Sequence, residues 1–187
     1  MNIDKDQTLK LVKQVKTGDQ AAFADLYDLF AQRLYAYIRI KISSQTDAED
    51  ILQEVFLKAW VGIKNLEIDN LNFSAWLYKV AGNTINDYYR KKYRSPGEVE
   101  LEKAANFASE DSPADDASHG LKRSAVKQAL DSLPSHYKEV IELRFFQDFS
   151  VADTASIMGK NSVSVRVWQH RALSRLKELF KERHINE

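Results

Sequence analysis

The sequence contains no cysteine, only six glycines and three prolines, and no net charge. Without cysteine the chain has no disulfide, no thiol nucleophile and no sulfur ligand for zinc, which fits a reducing compartment. So few glycines and prolines over 187 residues favour long helices. Residues 1–16 lack the continuous apolar run of a signal peptide, and no segment approaches the ~18 apolar residues of a membrane span. A cytoplasmic protein without membrane insertion is therefore expected.

The zero net charge hides an uneven distribution along the chain. Residues 1–94 carry 14 basic and 12 acidic groups, residues 95–120 carry 1 and 7, and residues 121–187 carry 12 and 8. Nucleic-acid-binding proteins usually have a basic footprint, so the total alone argues against one. The distribution instead predicts two mildly basic parts joined by an acidic segment, whose polar, proline-containing composition is typical of a solvated linker.

Apolar residues recur at steps of three and four in both basic parts, as on one face of a helix. In the first part they predict helices over about 23–38, 46–60 and 73–94, with a capping box at Thr46 and Glu49 and a loop at 62–72. In the second part they predict helices over 121–130, from Pro134 onward, over 150–158 and over 162–183. The helix after Pro134 carries the apolar residues Val140, Ile141, Leu143 and Phe145. The predicted fold class is all-α, with two small helical domains (1–94 and 121–187) and a flexible acidic linker (95–120).

The most specific pattern is a short helix, a turn and a longer helix at 150–179, which is the helix-turn-helix arrangement. The turn, Gly159-Lys160-Asn161, contains two residues that tolerate positive φ. In the last helix an apolar stripe would face the preceding helices: Val165, Gln169, Ala172, Leu176 and Leu179. The other face carries polar and cationic residues: Ser164, Arg166, His170, Arg171, Ser174, Arg175 and Lys177. A helix that reads the major groove needs this division, and the alternative is an ordinary surface helix with scattered cations.

Two more surfaces of the first part are candidates for binding. Lys79, Asn83, Asn86 and Arg90 share one helical face, followed by Tyr89, Lys91, Lys92, Tyr93 and Arg94. Cations beside aromatic rings suit single-stranded nucleic acid, and the alternative is a solvated polar face. The helix over 47–60 has an outer face of Asp47, Glu49, Asp50, Gln53, Glu54 and Lys58. These acids favour either a protein-binding surface or simple stabilisation of the helix dipole.

Enzyme chemistry has little support in the sequence. The four histidines lie far apart without metal-ligand spacing, and there is neither a glycine-rich phosphate loop nor a nucleophile elbow. We therefore expect a binding protein that is not an enzyme and needs no metal or cofactor.

Four segments together resemble a known family, the extracytoplasmic-function (ECF) group of bacterial RNA polymerase sigma factors. AEDILQEVFLKAW (48–60) is similar to the helix with which the family binds core polymerase, and FSAWLYKVAGNTINDYYRKK (73–92) to the helix that separates the strands and reads the minus-ten element. LDSLPSHYKEVIELRFFQDFSVADTASIMG (130–159) resembles the start of region 4, and SVRVWQHRALSRL (164–176) resembles the helix that reads the minus-thirty-five element. Departures include Gly82, Val167, Trp168 and Leu173, where relatives more often have bulkier or more polar residues.

The resemblance implies a sigma factor that directs promoter-specific initiation and helps to melt the promoter. It assigns polymerase binding to Asp47, Glu49, Asp50, Gln53, Glu54 and Phe56. It assigns binding of the minus-ten DNA to Asn65, Asn70, Lys79, Asn83, Asn86, Arg90 and Lys91. It assigns binding of the minus-thirty-five DNA to Ser162, Ser164, Arg166, Val167, His170, Arg171 and Arg175.

The resemblance also implies partners and a role for the linker. The partners would be core RNA polymerase and promoter DNA, with an anti-sigma factor to be tested and no small-molecule substrate. The linker would run extended through the polymerase, in a channel that normally holds nucleic acid. Two alternatives remain at this point: a helix-turn-helix regulator that acts without polymerase, and a helical adaptor that binds only protein.

Overall fold

The computed structural model describes residues 4–68, 71–92, 126 and 128–182. These residues form helices without strands, in two compact units, which confirms the all-α prediction. The first unit contains α1 (Lys5–Lys16), α2 (Gln20–Arg39), α3 (Gln45–Ile63) and α4 (Phe73–Lys92). The second contains a helical segment at 128–131, α5 (Ser135–Ile141), a π-helical turn (Glu142–Phe146), α6 (Val151–Met158) and α7 (Ser162–Glu182). The predicted linker, 95–120, lies outside the described residues, and so do Asn70, Tyr93 and Arg94.

Helix α1 was not predicted from the sequence. Its buried residues, among them Leu11, Val12 and Val15, are few and stand among lysines, so the apolar stripe is short. The Asp4 side chain accepts a hydrogen bond from the backbone N–H of Asp6 and caps the helix start. The helix packs chiefly on α2.

The core of the first unit follows the predicted apolar stripes. On α2 the positions 26, 30, 34, 37 and 38 are at most 1% exposed, whereas Tyr27 is 40% exposed. Leu77, Tyr78, Ala81 and Ile85 supply the facing side of α4. Each fully buried aliphatic or aromatic side chain contributes about 1.5–3 kcal/mol, so these stripes hold the helices together.

The boundaries of α3 differ from the prediction at both ends. The cap is Ser44, whose Oγ accepts a hydrogen bond from the N–H of Asp47 at 3.2 Å, and Thr46 lies inside the first turn. The helix continues through Gly62 to Ile63, which is fully buried. A Cβ at Gly62 would lie 3.0 Å from the Trp76 ring, so glycine here permits a close approach of α4.

Helices α6 and α7 form the predicted helix-turn-helix, and each boundary has a specific cap. The Ser150 side chain accepts from the N–H of Asp153 at 3.0 Å, as the capping pattern predicted. Gly159 ends α6 with φ of 62°. Asn161 does not adopt positive φ; its Oδ1 instead accepts from the N–H of Ser164 at 2.8 Å and caps α7. The turn therefore fixes how the last helix leaves α6.

Among the apolar residues that follow Pro134, Phe145 lies outside the core, because the helix after Ile141 widens into the π-helical turn. The N–H of Gln147 bonds to the carbonyl of Glu142 at 3.0 Å, five residues back, and this extra residue rotates the following side chains. Leu143 remains buried, whereas Phe145 and Phe146 are 53% and 58% exposed.

Candidate nucleic-acid and polymerase-binding surfaces

The last helix, α7, separates a buried stripe from an exposed cationic face, as predicted. Val165, Ala172 and Leu179 are at most 7% exposed and hold the helix against α5 and α6. The predicted minus-thirty-five residues on the opposite side are exposed (Arg166, Val167, His170, Arg171 and Arg175) or partly exposed (Ser162 and Ser164). From 166 to 175 the face extends roughly 14 Å at 1.5 Å per residue, enough to follow a groove for several base pairs.

Trp168 belongs to the packing of the second unit rather than to the exposed face. Its ring is partly buried, with its centroid 5.0 Å from that of His136 at the start of α5. The ammonium of Lys160, in the turn, lies 6.0 Å from the Trp168 ring centroid. Burial lowers the pKa of His136 from its usual value, and the nearby Glu139 carboxylate opposes this shift. Trp168 thus joins α5, the turn and α7.

The candidate minus-ten face of α4 is exposed along its whole length. Lys79, Asn83, Asn86, Arg90 and Lys91 all lie on the solvent side. Amide and cationic groups there have access to bases and phosphates.

Tyr89 was expected to stack on bases, but its hydroxyl group, like that of the neighbouring Tyr88, has a partner within the first unit. Tyr88 donates to Oδ2 of Asp47 at 2.7 Å, and Tyr89 donates to the carbonyl of Lys41. Both residues are partly buried. They anchor the end of α4 to the start of α3 and to the segment after α2.

The connection between α3 and α4 is described at 64–68 and 71–72, so Asn70 falls outside it. Asn65 is exposed, and its N–H bonds to the carbonyl of Gly62 at 3.0 Å. Asn72 caps α4, since its Oδ1 accepts from the N–H of Ala75 at 3.2 Å. The connection therefore leads directly into the candidate minus-ten face.

The acidic surface of α3 contains five of the six predicted polymerase-binding residues. Glu49, Asp50 and Gln53 are exposed, and Asp47 and Glu54 are partly exposed. Phe56 differs, because it is only 5% exposed and its ring packs on Tyr27 at 4.5 Å and on Phe23 at 6.2 Å. Its side chain therefore packs α3 against α2 and does not belong to the exposed surface.

Sequence reasoning missed two apolar residues on the same surface. Leu57 and Val61 are 69% and 65% exposed and continue the row that begins at Gln53, at steps of four. Their signal was present in the sequence, because both fall outside the buried stripe of α3. They give the acidic surface an apolar extension.

Ion pairs connect the α3 surface to the α4 face. The Lys58 ammonium lies 2.8 Å from the Glu54 carboxylate and 3.8 Å from that of Asp87, and it donates to Oγ1 of Thr84 at 3.1 Å. Asp87 in turn pairs with Arg90 at 2.9 Å. Exposed pairs of this kind contribute about 0–1 kcal/mol each, so they orient side chains more than they stabilise the fold.

Within the described residues, no three His, Cys, Asp or Glu side chains are placed to hold a metal ion. No helix in this part of the chain combines the length and apolar character needed to cross a bilayer.

One unit with a helix-turn-helix and a cationic last helix, together with a separate helical unit with polar and acidic faces, is typical of a DNA-binding protein of the transcription machinery. The family models for Sigma-70 region 2 and Sigma-70, region 4 match residues 26–95 and 123–176. The ECF sigma factor SigW of Bacillus subtilis is 32% identical over 92% of this chain and 96% of its own length. BldN of Streptomyces coelicolor is 32% identical over 95% of this chain and 67% of its own length.

The solved structure of the sigma factor RpoE with the anti-sigma factor NepR from Bartonella quintana is similar as well. It matches with a TM-score of 0.65 and 29% identity, over 85% of this chain and 96% of that chain. The chain belongs to the ECF group of RNA polymerase sigma factors. It is a transcription initiation factor that directs RNA polymerase to promoters, and the alternative of a polymerase-independent regulator is not favoured.

Proposed function

We propose that three surfaces of this sigma factor bind three different targets. The acidic surface of α3 binds core polymerase, α4 and the connection before it bind the melted minus-ten element, and α7 binds the minus-thirty-five duplex. The observation that carries this proposal is the exposed cationic face of α7, at the end of a capped helix-turn-helix that the region 4 family model covers. Phosphates and base edges of the major groove are the groups that such a face recognises.

The polymerase-binding role rests on the exposure of Glu49, Asp50 and Gln53 beside the apolar Leu57 and Val61. Carboxylates steer an encounter with a basic partner, and apolar side chains supply area that binding removes from water. Phe56 contributes by holding α3 against α2.

The minus-ten role rests on the row of exposed amide and cationic groups on α4, from Lys79 to Lys91, together with Asn65. Asn70 belongs to the same proposed site by its position in the connection. Because the target is single-stranded, bases of the non-template strand are available for hydrogen bonds that a duplex would conceal.

The proposed domains are 1–94, 95–120 and 121–187, and the limits of the family matches, at 95 and 123, support them. The acidic segment between would span from one promoter element to the other along the polymerase. The chain then acts by binding alone and contributes no covalent chemistry. Its place of action is the cytoplasm, where polymerase and promoter DNA are.

An anti-sigma factor is the proposed regulatory partner. The related RpoE was solved in complex with the anti-sigma factor NepR. Such a partner would compete with core polymerase for this chain.

Run-off transcription with reconstituted holoenzyme tests the proposed function. Core polymerase plus this chain should produce transcripts from a subset of templates in a promoter library, and core polymerase alone should not. The same library without polymerase, in a mobility-shift assay, should show weak binding, because each basic face is small and the net charge is zero. Absence of transcripts from every template, with tight binding of a palindrome by the chain alone, would favour the regulator instead.

A further inference from the structure

Helix α1 precedes the segment that the region 2 family model matches, which begins at residue 26. It is nevertheless part of the first unit, because Val12 and Val15 are at most 1% exposed in the core. It also contacts both α3 and α4. The helix is thus placed to influence the connection that joins those two helices.

Lys16, in the last turn of α1, makes that link directly. Its ammonium donates a hydrogen bond to the backbone carbonyl of Leu66, 50 residues further along the chain. Both residues are partly buried. A charged donor on a backbone carbonyl is among the stronger hydrogen bonds of a protein, and partial burial limits competition from water.

The connection is joined to α3 at one end and to α4 at the other. The hydrogen bond from Lys16 holds it at Leu66 as well. At its start the N–H of Leu66 bonds to the carbonyl of Ile63 at 3.2 Å, and at its end Asn72 caps α4. Near Asn72, residues Lys5, Thr8 and Leu9 of α1 line a cleft of about 250 Å³ against residues 71–74. Helix α1 therefore borders the connection near both of its ends.

We propose that Lys16 is a positioning residue that sets the backbone conformation of the connection around Leu66 and thereby its selectivity for bases of the minus-ten element. This inference rests on the proposed role of the connection in reading that element. Lys16 acts through the Leu66 carbonyl and needs no contact with DNA. A connection freed at Leu66 samples more conformations, so the preferred base loses part of its advantage over the other three.

The test uses Lys16→Met, which keeps most of the aliphatic length of the side chain but removes the donor. Holoenzymes with the wild-type chain and the variant transcribe one template pool in which the minus-ten element is randomised, and the transcripts are sequenced. We expect the ratio of preferred to non-preferred base, at one or more positions, to fall about tenfold, which corresponds to about 1.4 kcal/mol at 25 °C. Because this ratio is measured within one reaction, it does not depend on how much of the variant is folded.

Two further variants make the result specific. Lys16→Arg retains a cationic donor and should restore at least part of the base preference. Lys13→Met removes an exposed lysine of the same helix, one turn earlier, and should match the wild-type profile. The inference fails if Lys16→Met gives the wild-type base profile, if it lowers transcription from all templates alike, or if Lys13→Met changes the profile equally. If the wild-type holoenzyme makes no transcripts, the proposed function fails instead.

Discussion

Arg166 occupies the first turns of α7, where the helix leaves the turn and its side chain is exposed. If it contacts a base edge, Arg166→Ala should weaken binding of the minus-thirty-five duplex by about 1–3 kcal/mol and relax the base preference at one position. The measurement is a binding isotherm of holoenzyme on duplexes that vary at single positions. Lys181→Ala, near the other end of the helix, is the matched control and should change affinity little. Equal effects of the two variants would place Arg166 outside the interface.

Glu142, at the start of the π-helical turn, should make the stability of the folded state depend on pH. Burial raises the pKa of its carboxyl group above the usual 4.5, and the hydrogen bond from Gln147 opposes this shift. The folded state therefore binds this proton more tightly than the unfolded state does. The contribution of Glu142 to stability is then favourable at acidic pH and is lost as pH rises through the raised pKa.

Glu142→Gln should consequently raise the melting temperature at pH 7, by a few degrees at most, and the gain should shrink towards pH 4. Thermal unfolding of wild type and variant between pH 4 and 8 measures the difference. Glu178→Gln, an exposed residue of α7, should show no such trend. A gain that grows at acidic pH would contradict the assigned direction.

The exposure or burial of single residues in the candidate site was predicted correctly where a periodic pattern separated exposed from buried positions. Val165, Ala172 and the exposed Arg166 follow directly from the spacing of apolar residues on one helix. The hydrogen bonds of Tyr88 and Tyr89 were not predicted, because their partners, Asp47 and the Lys41 carbonyl, come from more than 40 residues away. Only tertiary packing brings such pairs together.

Among the elements, α3 presents its acidic residues as one surface. Reversing two of them, with Asp50→Lys and Glu54→Lys together, should reduce assembly with core polymerase by at least tenfold, because attraction at both positions becomes repulsion. Native-gel or sedimentation analysis of chain plus core polymerase gives the affinity. A double reversal on α2, Asp25→Lys with Asp28→Lys, alters two exposed acids that lie three residues apart and is the control.

Thermal unfolding of the α3 variant distinguishes the two explanations for its acidic start. If these acids only stabilise the helix dipole, the variant should melt earlier and still assemble with polymerase. If these acids bind polymerase, as proposed, the variant should keep its melting temperature and lose assembly with polymerase.

Element boundaries were less predictable than element positions. Ser44 and Thr46 both have the hydroxyl that caps a helix, and the structure uses Ser44, a choice that the residue types alone do not decide. The π-helical turn had no periodic signal at all, since a single extra residue rotates Phe145 outward without changing the composition. Helix α1 was missed because four buried residues among lysines make a weak stripe, although Asp4 is a recognisable cap.

At the scale of the whole molecule, the charge is arranged as two mildly basic parts around an acidic one. We expect each basic part to have little affinity for DNA by itself, and binding to one polymerase would then convert two weak contacts into a joint one. The spacing of the two promoter elements should then matter. Inserting five base pairs between them rotates one element by about half a turn of DNA relative to the other.

Transcription from such a promoter should fall at least tenfold relative to the original spacing. A template with five substituted pairs and unchanged length is the control and should remain active. Equal transcription from both templates would mean that the two units bind DNA independently through a freely adjustable tether.

The separation of faces on α7 has a consequence for how this protein changes over evolutionary time. Val165, Ala172 and Leu179 fix the helix in its unit, and the caps at Ser150 and Asn161 fix its direction. None of these positions lies on the exposed cationic face. If this face reads the minus-thirty-five element as proposed, substitutions at Arg166, His170 or Arg171 redirect the chain to another set of promoters while the fold remains intact. New regulatory circuits then arise from duplicated copies with few mutations.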